Sequence, residues 1–283
     1  MKLNRRTRRR LKIIAASVGG AVAAGLAVTV IILTSVAHPS TPPVSAQVQA
    51  AYDAGKTLAP TAKKLPNKLA DVLPKLHDPN QEFVLTVLGD STGFGSQAWV
   101  RQTVQQVADV TGRPTSIRDW DSKISDYGPA QHMGPAGKET LIVWNGSASG
   151  QNASYATAHL AAMLPQKSDL VIINHGHNSP ALANATEHIK GLISAVWNTP
   201  SQYAAIVVTA QNPRLDAAAK SDADVVTMTK TMPTIYPTIS VLDIYAAFSA
   251  AGDLAPLLSP DGLHPAAPGY KIWTDAAVKM LGF

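Results

Sequence analysis

The chain has 283 residues, 46% of them hydrophobic and 15% charged, with no cysteine. That is enough for one sizeable domain with appendages, and it excludes disulfides and thiolate metal sites. The net charge of +5 is concentrated: seven of the 24 Lys and Arg (Lys2, Arg5, Arg6, Arg8, Arg9, Arg10 and Lys12) lie at the N-terminus without an acid among them, and the remaining 17 face 19 Asp and Glu, so the basic balance belongs to a tail and argues against a nucleic-acid-binding face.

Residues 1–12 read as a basic cytoplasmic tail. From Ile13 to Val36 no charge interrupts 24 residues. As a helix this run reaches about 36 Å, enough to cross a hydrocarbon core of about 30 Å. The cations before it predict a cytoplasmic N-terminus, with the rest of the chain on the outer side of the cell membrane. Cleavage as a signal peptide, with secretion, is the alternative, since small residues at Ser35–Ala37 and Val44–Ala46 resemble a processing site. The run exceeds the roughly 7–15 residues of a signal-peptide core, so a retained anchor is expected.

Residues 37–78 are rich in Pro, Ala and Lys and are expected to be a stalk or linker; the other reading is a helix packed on the domain that follows. From residue 79 to 283 strand and helix patterns alternate. Strands are predicted at Phe83–Leu88, Leu141–Trp144, Leu170–Ile173, Ala204–Thr209 and Ile239–Ile244, and helices at Gln97–Val110, Tyr155–Leu164, Glu187–Trp197 and Ala266–Leu281. Short, nearly continuous apolar strands separated by helices predict an α/β fold with a mostly parallel five-stranded sheet covered on both faces. In such sheets ligands bind beyond the carboxyl ends of the strands, where this chain places its polar, Gly-rich segments.

Ser91 directly follows the first strand in Gly89-Asp90-Ser91-Thr92-Gly93. A serine at a strand-to-helix turn exposes its hydroxyl, although Asp and Ser are also ordinary helix caps. In Asp261-Gly262-Leu263-His264-Pro265 the Asp can fold back onto Nδ1 of a His three residues later, leaving Nε2 free as a base; a loop with a surface histidine is the alternative. Asn145-Gly146-Ser147-Ala148-Ser149-Gly150 and Gly176-His177-Asn178 end two further strands. Backbone N–H groups and an Asn amide there could hold a developing oxyanion, or the residues could simply turn the chain.

Taken together and in this order, the four segments resemble the SGNH hydrolase family of GDSL-like lipases and esterases over roughly residues 80–283. The resemblance implies a three-layer α/β/α domain of SGNH/flavodoxin-like type, with Ser91 as nucleophile, His264 and Asp261 as its partners, and an oxyanion hole of Ser91 N–H, Gly150 N–H and the Asn178 amide. Two departures stand out. Ser179 occupies a position where many members have Asp, and Ile117–Lys138 is a long segment that makes Gly146 a rival to Gly150 as donor.

His175 and His177 lack an evident third ligand, so no metal is expected, and no cofactor is needed. Asp90 is expected to be structural, Asp243 a cap, and Trp120, Trp144 and Tyr155 packing residues. The expected partner is a small-molecule or glycan ester, O-acetyl carbohydrate esters first. Lipase, thioesterase or acyltransferase activity comes next, and a non-catalytic tethered binding module is the reading from another class.

Overall fold

The computed structural model describes residues 64–179 and 181–283. The expected tail, the expected membrane-spanning helix and linker residues 37–63 lie outside the described residues. Among the described residues no helix is long and apolar enough to cross a membrane.

A compact unit runs from Lys64 to Phe283. Its elements are α1 (Leu69–His77), β1 (Phe83–Gly89), α2 (Trp99–Thr111), β2 (Thr115–Asp121), β3 (Asp126–Tyr127), β4 (Gln131–Met133) and β5 (Leu141–Ser147). They continue with α3 (Ala153–Ala158), α4 (Leu160–Met163), β6 (Leu170–Asn174), α5 (Leu182–Trp197), β7 (Ala205–Ala210) and α6 (Ala219–Lys230). Last come α7 (Met232–Ile235), β8 (Ser240–Asp243), α8 (Ile244–Ala250) and α9 (Ala267–Met280).

Eight strands form one sheet in the order β3-β2-β5-β1-β6-β7-β8, with β4 also paired to β2. The pairs β2–β5, β5–β1, β1–β6, β6–β7 and β7–β8 are parallel, whereas β3 and β4 run antiparallel to β2. The five expected strands therefore make up the continuous run β5-β1-β6-β7-β8, which ends at the β8 edge, and the expected five-stranded sheet is corrected to eight. The added strands fall largely within the long segment noted between Ile117 and Lys138. β2 escapes an apolar-run search because its polar residues are paired by tertiary contacts: Asp119 takes the Arg101 guanidinium and the Asn145 amide.

Side-chain alternation sorts the apolar strands into two cores. Leu85, Val87, Leu170, Ile172 and Val207 face α1, α2, α8 and α9, where Trp99 and Trp273 stack with ring centroids 5.5 Å apart. Leu88, Val171, Ile173, Ile206 and Val208 face α3, α4, α5 and α7. Helix α2 buries Val100, Val104, Val107 and Ala108, the face its spacing predicts, and ends on Gly112 at φ 61°, a left-handed cap suited to glycine. The helix expected at Tyr155–Leu164 is divided at His159 into α3 and α4. Asp243 caps α8 by accepting from Ala246 N, as expected.

Residues 69–77 take the packed alternative to a linker. Helix α1 buries Val72 and Leu76. Lys75 Nζ donates to Asp169 Oδ1 at 2.7 Å, and the fully buried Arg113 guanidinium donates to the carbonyls of Leu76, Gln81 and Thr140. A buried guanidinium is tolerated only when its donors are satisfied, so α1 and Arg113 depend on each other. Leu76→Ala is expected to cost about 2–5 kcal/mol in urea denaturation; a loss under about 1 kcal/mol would show that α1 is not integral to the core.

Candidate active site

Strand β1 is paired on both sides, and its last residue, Gly89, is in register with Ser147 at the end of β5 and with Asn174 at the end of β6. Three strand ends are thereby level, and the loops bearing Ser91, Gly150 and Asn178 leave from one line. A Cβ on Gly89 would meet Ser147 Oγ at 3.1 Å and Asn174 Cβ at 3.2 Å. Glycine here lets the Ser147 and Asn174 side chains close in on the strand end without having to give way. All of these strands are parallel, but their order is built outward in opposite directions from β1, to β5 and β2 on one side and to β6, β7 and β8 on the other, and a crevice forms at such a point in an open α/β sheet.

Beyond Gly89 the chain turns through Asp90 into a single 3-10 turn, Ser91–Gly93. Asp90 is fully buried. Its Oδ1 accepts from Thr92 N at 3.0 Å and Thr92 Oγ1 at 2.7 Å, and its Oδ2 accepts from Gln211 Nε2 at 2.9 Å. Asn174 Nδ2 donates to Thr92 Oγ1 at 2.9 Å. Asp90 thus holds the turn's shape, the structural part expected of it, while Ser91 stays partly exposed.

Ser91 and His264 are 173 residues apart, yet their side chains meet. Asp261 Oδ2 accepts from His264 Nδ1 at 2.6 Å, and His264 Nε2 lies 2.8 Å from Ser91 Oγ. Asp261 Oδ1 also accepts from the backbone N–H of Leu263 (2.9 Å) and His264 (3.0 Å). Partial burial pushes the Asp261 carboxyl up, but the His264 side chain and these two N–H groups outweigh it and hold it at about 2. An ionised Asp261 fixes the proton on Nδ1, so Nε2 is left to accept from the Ser91 hydroxyl. Gly262, at φ 67°, lets the turn close, and its carbonyl accepts from Leu215 N at 2.7 Å.

Gly150 and Gly146 are placed differently. Gly146 lies inside β5, in register with Leu88, where a Cβ would meet the Val87 carbonyl oxygen at 2.8 Å. β5 extends three residues beyond the expected strand end at Trp144, so Asn145 and Gly146 are strand rather than loop. Gly150 lies beyond the strand end, exposed, at φ 73° and with open space where a Cβ would project. Asn178 Nδ2 donates to Gln151 O at 3.1 Å, which brings the Asn178 amide beside the Gly150 loop with one N–H to spare. Ser179 N donates to Gly176 O at 3.0 Å, closing the turn that displays Asn178.

His175 is 2% exposed, and burial pushes its imidazole down to about 4, against a weaker opposite pull from Asp90. His177 Nδ1 lies 3.0 Å from Asp222 Oδ1, both side chains buried. Among the described residues no group of three or more His, Cys, Asp or Glu is arranged to hold a metal ion. Trp120 is buried and donates from Nε1 to Tyr155 Oη at 3.1 Å, as packing residues do. Trp144 packs edge-on against Tyr127.

The sequence reading overlooks a further segment, residues 211–216. Gln211 contacts Asp90, Asn212 Nδ2 donates to Leu263 O at 3.0 Å, and Arg214 Nη1 donates to His177 O at 2.8 Å. The one local signal is its position: Gln-Asn-Pro-Arg follows an apolar strand directly, as the motif segments do, but nothing in its residues names its distant partners.

A family model described as GDSL-like lipase/acylhydrolase matches residues 85–277. No curated protein matches the chain by sequence. Among solved structures the chain is similar to a two-domain esterase active on acetylated mannans (16% identity, TM-score 0.56), with 75% of this chain and 52% of that one covered. It therefore spans about half of that protein. It is also similar to a lipase/acylhydrolase from Enterococcus faecalis (17% identity, TM-score 0.52, 70% and 94% covered). A third likeness is to a single-residue variant of an acetyl-xylooligosaccharide esterase from Geobacillus (19% identity, TM-score 0.52, 72% and 95% covered). At these identities the likenesses show a shared fold.

The buried imidazole sets a pH dependence. His175 has a folded value below the usual 6.5, so its contribution to stability is complete above pH 6.5 and is lost as pH falls toward about 4, where the unfolded chain takes up the proton first. An NMR titration is expected to place the His175 ring near 4; a midpoint near 6.5 would contradict its burial as a neutral group.

Proposed function

Because the chain belongs to the GDSL-like lipase/acylhydrolase family and is a carboxylic ester hydrolase, we propose that it cleaves O-acyl esters of carbohydrates through Ser91, His264 and Asp261. The observation that carries this reading is the unbroken hydrogen-bond chain from Asp261 Oδ2 through the His264 ring to Ser91 Oγ, with links of 2.6 and 2.8 Å. Such a chain turns a weakly nucleophilic hydroxyl into an activated one.

In the proposed reaction Ser91 Oγ attacks the ester carbonyl as its proton passes to His264 Nε2. The oxyanion is held by the N–H groups of Ser91 and Gly150 and by the Asn178 amide, each donor contributing about 3 kcal/mol in the transition state. Collapse of the tetrahedral intermediate breaks the ester C–O bond. The imidazolium returns its proton to the leaving alcohol, and the acyl group stays on Ser91. A water, deprotonated by His264, then releases the carboxylic acid. Asp261 fixes the imidazole tautomer and stabilises the imidazolium. No step calls on a metal or cofactor.

Two considerations support carbohydrate esters as substrates. Similar structures include esterases described as active on acetylated mannans and on acetyl-xylooligosaccharides. The uncharged run Ile13–Val36 behind seven cations supports a domain held at the outer face of the cytoplasmic membrane, where acylated glycans occur.

Ser91→Ala is expected to abolish both ester hydrolysis and labelling by a fluorophosphonate probe; undiminished labelling would remove Ser91 from the mechanism. Asn178→Ala is expected to lower kcat by about 10²–10³-fold with little change in KM, measured on a p-nitrophenyl ester. Acetate release from acetylated glycans, set against p-nitrophenyl esters of rising chain length, tests the substrate class, and a clear preference for long acyl chains would redirect it to lipids. Membrane fractionation tests the location, and recovery in the soluble cytosol would contradict it.

A further inference from the structure

The segments that meet at Ser91 carry recognisable motifs, but what joins them is the connection from β7 to α6, which carries none. Gln211, the first residue past β7, is 2% exposed. Its carboxamide spans two of the motif segments. Nε2 donates to Asp90 Oδ2 at 2.9 Å, with longer approaches to Thr92 Oγ1 (3.4 Å) and Asn174 O (3.5 Å), and Oε1 accepts from His177 N at 2.9 Å. Asp90 is the residue before the proposed nucleophile, and His177 is the residue before the proposed oxyanion donor Asn178.

The two partners make opposite demands. An ionised carboxylate only accepts hydrogen bonds and a backbone N–H only donates one, so the bridging group must both donate and accept. A primary amide does so without adding charge. Glutamate would satisfy His177 N–H but would oppose one carboxylate to another at Asp90 until one of them took up a proton. Glycine at 176 belongs to the same arrangement: a Cβ there would lie 2.8 Å from Gln211 Oε1. The glycine of Gly176-x-Asn178 is thus the space through which Gln211 reaches His177.

The rest of the connection reinforces this hold. Arg214, steadied by Asp216 through Nε to Oδ1 at 2.9 Å, donates to the His177 carbonyl at 2.8 Å. Asn212 Nδ2 and Leu215 N donate to the Leu263 and Gly262 carbonyls of the Asp261–His264 turn.

We infer that Gln211 is a positioning residue that locks the turn presenting Ser91 to the loop presenting Asn178, so that nucleophile and oxyanion donor keep a fixed separation. The inference rests on the proposed roles of Ser91 and Asn178. Gln211 does not touch substrate. Its removal leaves each motif intact but lets the two drift, and misplacement on the scale of 1 Å can cost about 10²-fold in rate.

The experiment measures kcat and KM for p-nitrophenyl acetate from pH 5 to 9 with the full chain, its Gln211→Ala and Gln211→Glu variants, and Ser91→Ala, each checked for folding by near-ultraviolet circular dichroism. Gln211→Ala is expected to lower kcat about 10–100-fold at every pH, with KM within about threefold. Gln211→Glu is expected to be similarly impaired at pH 9 and to regain rate relative to the unsubstituted protein as pH falls, because a protonated Glu again donates to Asp90. The ionisable groups around these segments are Asp90, His175, His177, Arg214 and Asp216, with Asp222 against His177 and Tyr270 near Asp90; taking the variant-to-parent ratio at each pH removes the part of their titration that the two proteins share. Kcat within about twofold of the parent for both variants, or a Gln211→Glu ratio flat with pH, overturns the inference. Where Gln211→Ala fails to fold, the pH dependence of the Glu ratio decides alone. Full activity in Ser91→Ala would instead overturn the proposed function, so the two failures are distinguishable.

Discussion

The site depends on one geometric constraint: β1 is hydrogen-bonded on both edges, and its last residue is level with the last residues of β5 and β6. A strand paired on one side only could slide or fray; one held between two parallel neighbours cannot shift register without exchanging both sets of side-chain contacts. Gly89, Ser147 and Asn174 therefore end on one line, and the loops that follow begin within reach of each other. The two apolar cores that cover the sheet keep that register in place.

Above this line, buried polar groups do the work that packing does below it. Asp90 has both carboxylate oxygens engaged by donors from Thr92 and Gln211, and Asn174 in turn donates to Thr92 Oγ1. A buried carboxylate without such partners would be costly, whereas one so enclosed rigidifies what it touches. By contrast Asp261 and His264 stay partly open to solvent. They are held by local turn geometry and by the 211–216 connection. Buried polar residues thus fix the frame, and the Asp261–His264 pair is held at its solvent-facing side.

The motif segments were the most legible part of the chain, because each is local: an apolar strand followed by Gly-Asp-Ser, by a Gly-rich stretch, by Gly-x-Asn, and an Asp three residues before a His. The five expected strands were legible for a related reason: each carries a short apolar run, and β1, β6 and β7 are buried on both faces. β2 was not, since its Thr, Ser, Arg and Asp become strand-compatible only once Arg101 and Asn145 are there to pair with Asp119. Helix α1 was not, since its Pro74 and Lys75 suggest a linker until Arg113 and Asp169 are seen to receive it. Nor was Gln211, whose partners lie 34 and 121 residues away.

By itself the sequence determined the alternation of strands and helices, the residue types able to activate a hydroxyl, and their order along the chain, because these follow from side-chain periodicity and from chemistry within a few residues. Only the tertiary structure decided that His264 reaches Ser91 across 173 residues, that Gly150 rather than Gly146 stands clear of the sheet, and that a motif-free loop ties the segments together. Those outcomes rest on strand register and on long-range hydrogen bonds, and a pairing between distant residues leaves no period in the chain from which to read it.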